Sequence, residues 1–320
     1  MGAETPKKAR STEMETEMNF GNLNNHAVGI IMKELVRRAI DAIRSQQFAF
    51  DMKEKSTVGK EIDFVTSADQ AAQTVYLKSL RECTPDFGII AEENNFRTAC
   101  QLRDRKIYWS VDPMDGTKAF IRRQSHGIGT MLAMAVDNGR AVFDNGVVNE
   151  VIAAFVGDVM TQEIYGFRPG SKKVYRISEY NHAIPLEIDP ERLLFEQIVL
   201  LRDYPENFSL FMKEVVQPRK FFKGIEIGGG SIGISFARLW KGEVGGIILN
   251  PSHDTPWDLW PVIGISQKLG FVFLKPSNIL DDTQTRLWRY VPEVSLEIKE
   301  RDHYILVVHQ SRMKELGAFG

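Results

Sequence analysis

Cysteine is nearly absent: Cys83 and Cys100 are the only two in 320 residues. With no CxxC and no Cys/His cluster of zinc spacing, neither a disulfide framework nor a structural zinc is implied, and a reducing cytoplasm fits. The histidines, His26, His126, His182, His253, His303 and His309, likewise lack metal-ligand spacing. An excess of one charge is also missing. Forty Lys and Arg residues face 42 Asp and Glu, interspersed, for a net charge of −2. That balance argues against a nucleic-acid surface or a polybasic membrane patch and points to a small-molecule partner. No apolar run reaches the length of a membrane-spanning helix. Residues 1–18 carry Pro6, Lys7, Lys8 and Arg10 without the apolar core of a secretory signal, and a disordered leader is expected there. Nucleotide loops are missing too. Gly228-Gly229-Gly230-Ser231 lacks the Lys-Ser/Thr of a P-loop, and no glycine fingerprint follows an early strand, which disfavours a Rossmann-type oxidoreductase.

What the chain does contain is concentrated in Tyr108-Trp109-Ser110-Val111-Asp112-Pro113-Met114-Asp115-Gly116-Thr117. An apolar run ends abruptly in two carboxylates, a proline, a glycine and a hydroxyl, and it reads as a strand entering a functional turn. Pro113 fixes φ, Gly116 permits close backbone approach, and the following residues can open a helix with free N–H groups. Asp112 and Asp115, three apart on a turn, can face one hard cation, with the Met114 carbonyl as a further oxygen ligand. Ordinary turn chemistry uses the same residue types, so this stretch alone leaves both readings open.

Asp112-Pro113-Met114-Asp115-Gly116-Thr117 resembles the Asp-Pro-[Leu/Ile/Met]-Asp-Gly-Thr signature of the inositol monophosphatase superfamily, the lithium-sensitive, Mg²⁺-dependent phosphatases. Three further elements occur in the family's order. Asp63-Phe64-Val65-Thr66-Ser67-Ala68-Asp69 is similar to Asp-x-Val-Thr-x-x-Asp, Ile90-Ala91-Glu92-Glu93 to the Gly-Glu-Glu element, and Trp257-Asp258 to the Trp-Asp pair that opens a C-terminal helix. Ala91 stands where a glycine is usual, and Leu259-Trp260-Pro261 where small residues are usual; neither departure removes a carboxylate, but the bulk of Trp260 bears on pocket shape.

The resemblance implies a layered αβαβα sandwich, a homodimer, and a reaction in which metal-activated water attacks a phosphate monoester. It places Glu92, Asp112, Met114, Asp115, Asp258 and Asp69 around two or three Mg²⁺ ions. Glu92 and a Thr117–Asp69 hydrogen bond would orient the water, and Gly116 and Thr117 would hold the phosphate. Lys118, Ser231 and His253 are substrate-contact candidates. Each has a plainer reading: Asp69 and Asp258 as helix caps, Lys118 as a solvent-facing lysine, Ser231 as part of a tightly packed helix start. The acid that binds inositol hydroxyls in many members is absent from Leu249-Asn250-Pro251-Ser252-His253, or displaced to Asp254. The substrate therefore stays open between an inositol phosphate, histidinol phosphate and a 3′(2′),5′-bisphosphate nucleotide. A non-catalytic phosphometabolite-binding or protein-interaction role is the competing class.

Periodicity fills in the rest. A helix is expected from Asn25 to about Phe48 and another to Glu82, capped by Ser67; the strand Phe87–Ala91 then delivers Glu92 and Glu93 to opposite sides. Four strands, Gly129–Val136, Ala141–Val148, Val151–Val156 and Glu163–Phe167, complete an α+β portion over 19–180, with a turn at Asp137-Asn138-Gly139. A polar link, Ser178–Arg192, leads into an α/β portion over 181–320 with helices at Pro205–Val216, Ser231–Trp240 and from Pro256, and strands at Gln197–Arg202, Lys220–Gly224, Gly245–Leu249 and Tyr304–Val308.

Overall fold

The computed structural model describes residues 20–55, 63–103, 105–142, 146–278 and 285–318. The expected leader, 1–18, lies outside them. Helix α1 (Asn25–Ser45) begins where the Asn24 side chain accepts from the Ala27 N–H, and it buries Val28, Met32, Leu35, Val36, Ala39, Ile40 and Ile43 along one stripe. Helix α2 (Ser67–Cys83) is capped by Thr66, not by Ser67. The Thr66 hydroxyl faces the Ala68 and Asp69 N–H groups, whereas the Ser67 hydroxyl turns away to donate to Gln46.

An eight-stranded sheet runs in the order Ala183–Pro185, Tyr175–Ile177, Ile164–Phe167, Gly146–Asp158, Gly129–Val142, Lys106–Asp115, Gly88–Ala91, Phe96–Thr98. Its pairs are antiparallel except Gly88–Ala91 against Lys106–Asp115. Period-two alternation decides which layer each side chain joins. Leu132, Met134 and Val136 pack with α1 and α2, while Met131, Ala133 and Ala135 point the other way, into a second core. Helices α5 (Ile232–Trp240) and α6 (Pro256–Lys268) fill that second core. On their far side lies a six-stranded sheet, ordered Gly224–Ile227, Ile198–Leu201, Gly246–Leu249, Ile305–His309, Phe271–Asn278, Thr285–Tyr290. Ile305 and Val307 face α5 and α6; Leu306 and Val308 face a third core with Met212 and Val215 of helix α4 (Leu210–Val215). The layers are thus helix, sheet, helix, sheet, helix, the αβαβα order expected. Helix α3 (Thr117–Ile121) is one short turn beside the site.

Several boundaries differ for local reasons. The Asp137-Asn138-Gly139 turn is instead part of the strand Gly129–Val142, which absorbs it as a register shift between Asp137 and Ala141. Three expected strands, Gly129–Val136, Ala141–Val148 and Val151–Val156, therefore become the two strands Gly129–Val142 and Gly146–Asp158 of one long hairpin. The polar link contributes an exposed edge strand, Ala183–Pro185, so the first sheet extends beyond residue 180. The helix expected over Pro205–Val216 breaks into a 3₁₀ turn, Pro205–Asn207, and α4, because Ser209 caps a new start by accepting from Met212. The strand expected at Lys220–Gly224 begins only at Gly224. Among the described residues no helix is long and apolar enough to cross a membrane.

Leu132 is fully buried between the eight-stranded sheet and the α1/α2 layer. Leu132→Ala is expected to lower the free energy of unfolding by about 2–5 kcal/mol, read from a denaturant midpoint with unchanged slope.

Candidate metal centre

Residues three apart on a regular strand point to opposite faces. Asp112 and Asp115 escape that rule. Asp112 pairs with Met131 and Asp115 with Gly129, so three steps on one strand face two on the other. The extra residue is a bulge at Pro113-Met114, inside a strand rather than in the expected turn, and it turns both carboxylates to one side. Immediately after, Gly116 adopts φ +94°, where a Cβ would stand 2.3 Å from the Gly127 carbonyl oxygen and 2.8 Å from the Ser231 nitrogen. Only glycine satisfies both the left-handed backbone and the close approach.

The third carboxylate arrives from the other half of the chain. Asp258 lies in the first turn of α6, where its N–H donates to the Thr255 hydroxyl and its Oδ2 accepts from that hydroxyl at 2.6 Å. It is a cap residue and still reaches the site. Ligand oxygens of Asp112, Asp115 and Asp258 all lie within 4.8 Å of one another. Burial and mutual repulsion hold Asp112 and Asp258 towards their neutral forms. Burial first, then Glu92, Asp115 and Asp258, push Asp112 well above the usual carboxylate range. Asp258 is pushed up to about 7 by burial, then by Asp115 and Glu92. Asp112 Oδ1 is buried and, among the described residues, has no hydrogen-bond partner. A concentration of hard oxygen donors, one of them orphaned, fits a divalent cation such as Mg²⁺, whose charge would offset both the repulsion and the unmet bonding capacity.

Glu92 and Glu93 do not point apart. The strand ends at Ala91, and Glu92 already has helical angles (φ −63°, ψ −53°) at the start of the 3₁₀ turn Glu93–Asn95. Both carboxylates therefore converge on Lys55, whose Nζ lies 2.9 Å from Glu92 and 2.7 Å from Glu93. Burial raises Glu92, and Lys55 opposes that rise. Gln73 fixes the turn by exchanging hydrogen bonds, both 3.0 Å, with the Glu93 backbone N–H and carbonyl. Lys55 was invisible in the sequence because it sits in a polar stretch without a motif; only its hairpin pairing with Asp63 brings it to the site.

Asp69 is fully buried and joins both readings given to it. Its Oδ2 accepts from the Thr66 N–H and hydroxyl, completing a capping box, while Oδ1 accepts from the Thr117 hydroxyl at 3.0 Å. Thr117 Oγ1 also lies 3.2 Å from the Met114 carbonyl oxygen.

Asp115 meets the start of α5. The Ser231 hydroxyl and the Gly233 N–H donate to its Oδ2, and the Ile232 N–H donates to Oδ1. Ser231 is fully buried and also caps α5 by accepting from Ile234, so its side chain is committed to Asp115 and the helix instead of facing a ligand. Arg202 holds this loop from behind through the Gly230 and Ser231 carbonyls.

Glu92, Asp112, Met114, Asp115, Gly116, Thr117 and Asp258 line one cavity of about 920 Å³, as do Lys118 and the exposed His253. Trp260 does not line it. Its ring is buried, its Nε1 donates to the Ser295 carbonyl, and it borders a separate pocket of about 180 Å³.

The crowded acids carry a stability signature. A carboxyl whose folded-state pKa lies above its ordinary value keeps a proton that the unfolded chain has released. Metal-free protein should therefore lose stability as pH rises from 3.8 towards about 7, the range set by Asp258. Stabilisation by added Mg²⁺ should be larger at pH 8 than at pH 5, because protons compete for the same oxygens. Asp112→Asn should raise the metal-free melting temperature by about 2–4 °C and remove most of the Mg²⁺ effect. Calorimetry with and without chelator checks all three.

Residues 24–181 match the Inositol monophosphatase family. The 3′(2′),5′-bisphosphate nucleotidase CysQ of Salmonella typhimurium is 40% identical over 117 residues, which are 36% of this chain and 44% of that relative. The match thus spans less than half the length of the curated relative. The fold is similar to the extragenic suppressor protein suhB of Bartonella henselae, with TM-score 0.63 and 16% identity over 91% of this chain and 97% of that one. It is also similar to an IMPase/NADP phosphatase complexed with Mg²⁺ and phosphate, with TM-score 0.62 and 14% identity over 91% and 94%. With Glu92, Asp112, Asp115 and Asp258 around one cavity, residues 24–181 thus match the inositol monophosphatase family, and the fold of the whole chain is similar to that of the solved relatives.

Proposed function

We propose that the protein is a Mg²⁺-dependent phosphomonoesterase that hydrolyses a small-molecule phosphate monoester by direct attack of water. The observation that carries this reading is the orphaned Asp112 Oδ1 among three converging carboxylates in a cavity that also contains Thr117. Two or three Mg²⁺ ions would be held by Glu92, Asp112, the Met114 carbonyl, Asp115 and Asp258, with Asp69 beside Glu92; when bound they neutralise the phosphate and the departing alkoxide.

The protein groups divide the remaining work. Gly116 and Thr117 precede the first complete turn of α3, and their N–H groups are free of intrahelical acceptors, so they are the donors assigned to phosphate oxygens. Because the Thr117 hydroxyl proton is engaged by Asp69, its oxygen lone pairs are left to accept from the attacking water. Glu92 accepts the second water proton and thereby orients the oxygen lone pair towards phosphorus. A bond forms from water oxygen to phosphorus as the ester P–O bond breaks. The proton released by water passes towards Asp69 or Glu92, and the alkoxide takes one from solvent.

Within this class, the cavity is roomy for an inositol phosphate, and Lys118, Arg122 and Arg202 also line it. Those cations, with the likeness to a bisphosphate nucleotidase, support a substrate with a second anion as the second reading. Histidinol phosphate is the remaining alternative. A homodimer and a cytoplasmic location are proposed on the family resemblance. A purely binding role would leave the acids without turnover.

Phosphate release from inositol 1-phosphate, histidinol phosphate, 3′-phosphoadenosine 5′-phosphate and fructose 1,6-bisphosphate tests the proposal. Mg²⁺-dependent release from at least one, inhibited by Li⁺ and abolished by Asp115→Asn, is expected; no metal-dependent release from any would favour the binding role. Thr117→Val should lower kcat by about 10²–10⁴ with a smaller change in KM.

A further inference from the structure

Part of the cavity wall is a two-stranded antiparallel ribbon, Ser252–Asp254 against Lys299–Arg301. Its register sets Asp254 opposite Lys299 and Ser252 opposite Arg301, so Asp254 and Arg301 are diagonal neighbours on one ribbon face. Arg301 Nε donates to both Asp254 oxygens, at 3.0 and 3.1 Å, and Nη1 donates to the His303 carbonyl at 2.6 Å. Arg301 is only 6% exposed, yet it lines the cavity, and among the described residues its Nη2 has no partner.

Two consequences bear on substrate. Asp254 is where the sequence left room for a displaced hydroxyl-binding acid, but both its oxygens already accept from Arg301. It is therefore a poor acceptor for ring hydroxyls. The pair has no net charge of its own, so what it adds is a fixed, charge-assisted donor at Nη2. The surrounding lining sets the sign. Outside the acids of the metal centre and this pair, the charged lining residues are Lys118, Arg122 and Arg202 against Asp203. Among the described residues, Arg202 bonds only to neutral acceptors, the Gly230 and Ser231 carbonyls and the Ser235 hydroxyl, so none of them cancels its charge.

We propose that Arg301, locked in place by Asp254, is a specificity-determining residue that selects phosphate monoesters whose alcohol part carries an anionic group over those that carry only hydroxyls. This rests on the phosphomonoesterase reading above. The fixed donor meets the anion, the surrounding cations favour its entry, and the occupied Asp254 withholds recognition from a bare polyol.

Matched esters provide the test. Adenosine 3′-phosphate and 3′-phosphoadenosine 5′-phosphate differ by one phosphate; glycerol 3-phosphate and 3-phosphoglycerate differ by a carboxylate in place of a hydroxymethyl group. kcat and KM are measured with Mg²⁺ for wild type, Arg301→Gln, and the double variant Asp254→Asn/Arg301→Gln, which keeps a neutral hydrogen-bonding pair should the single variant fail to fold. Wild type should prefer the anionic member of at least one pair, and the pair that responds identifies phosphate or carboxylate as the group read. Both variants should reduce that preference about tenfold or more, chiefly through KM. Arg301→Gln, which frees Asp254, should also raise kcat/KM for inositol 1-phosphate relative to the double variant. A uniform loss on all esters, or an unchanged preference, would show the pair to be a structural staple and overturn the proposal. Absence of Mg²⁺-dependent turnover on every ester would instead bring down the phosphomonoesterase reading, and this proposal with it.

Discussion

Carboxylates repel one another, and a fold that gathers Asp112, Asp115 and Asp258 within 4.8 Å, with Glu92 nearby, must hold them there against that repulsion. Each acid has its own restraint. A bulge turns Asp115 to the side of Asp112, and the start of α5 grips Asp115 with three donors. Thr255 fixes Asp258, while Lys55 bridges Glu92 and Glu93. Among the described residues, Asp112 keeps a buried oxygen with no hydrogen-bond partner. The frame is complete except for positive charge at its centre, which is the condition a divalent cation satisfies.

This arrangement joins the two sheets energetically as well as in space. Asp115 and Gly116 belong to the eight-stranded sheet and the loop that leaves it, whereas Ser231, Ile232 and Gly233 begin the helix layer in front of the six-stranded sheet. Their hydrogen bonds make the docking of α5 part of the acid's geometry. The Gly116 backbone needs the same closeness, since its missing side chain is what lets Gly127 and Ser231 approach. A change that shifts α5 is therefore felt at Asp115 before it reaches any ligand. Arg202, behind the Gly230–Ser231 turn, transmits the same dependence from the strand end at Leu201.

Much of this was legible in the sequence where local chemistry and long-range role coincide. The apolar run into Asp112-Pro113-Met114-Asp115-Gly116-Thr117 marked the centre because proline, glycine and paired acids constrain backbone and charge together. Layering was legible as well, since alternation along Met131–Val136 and Ile305–Val308 assigns side chains to cores by parity. What stayed hidden depends on register and tertiary approach. A bulge leaves no composition signal, so Asp112 and Asp115 read as a turn. An extended backbone would set Glu92 and Glu93 on opposite sides, but Glu92 is helical. Lys55 and Arg301 are ordinary cations in sequence; hairpin and ribbon pairing give them their partners. Ser231 looked available only because the Asp115 carboxylate that occupies it lies 116 residues away.

The central claim is that acids from both halves of the chain form one divalent-cation site. Titration of metal-free protein with Mn²⁺, a spectroscopic stand-in for Mg²⁺, followed by electron paramagnetic resonance for wild type and Asp258→Asn, tests it most directly. Saturable binding by wild type, weakened at least tenfold in a variant that remains folded by circular dichroism, is the predicted result. Equal affinity in the two proteins, or no binding by wild type, would contradict the account.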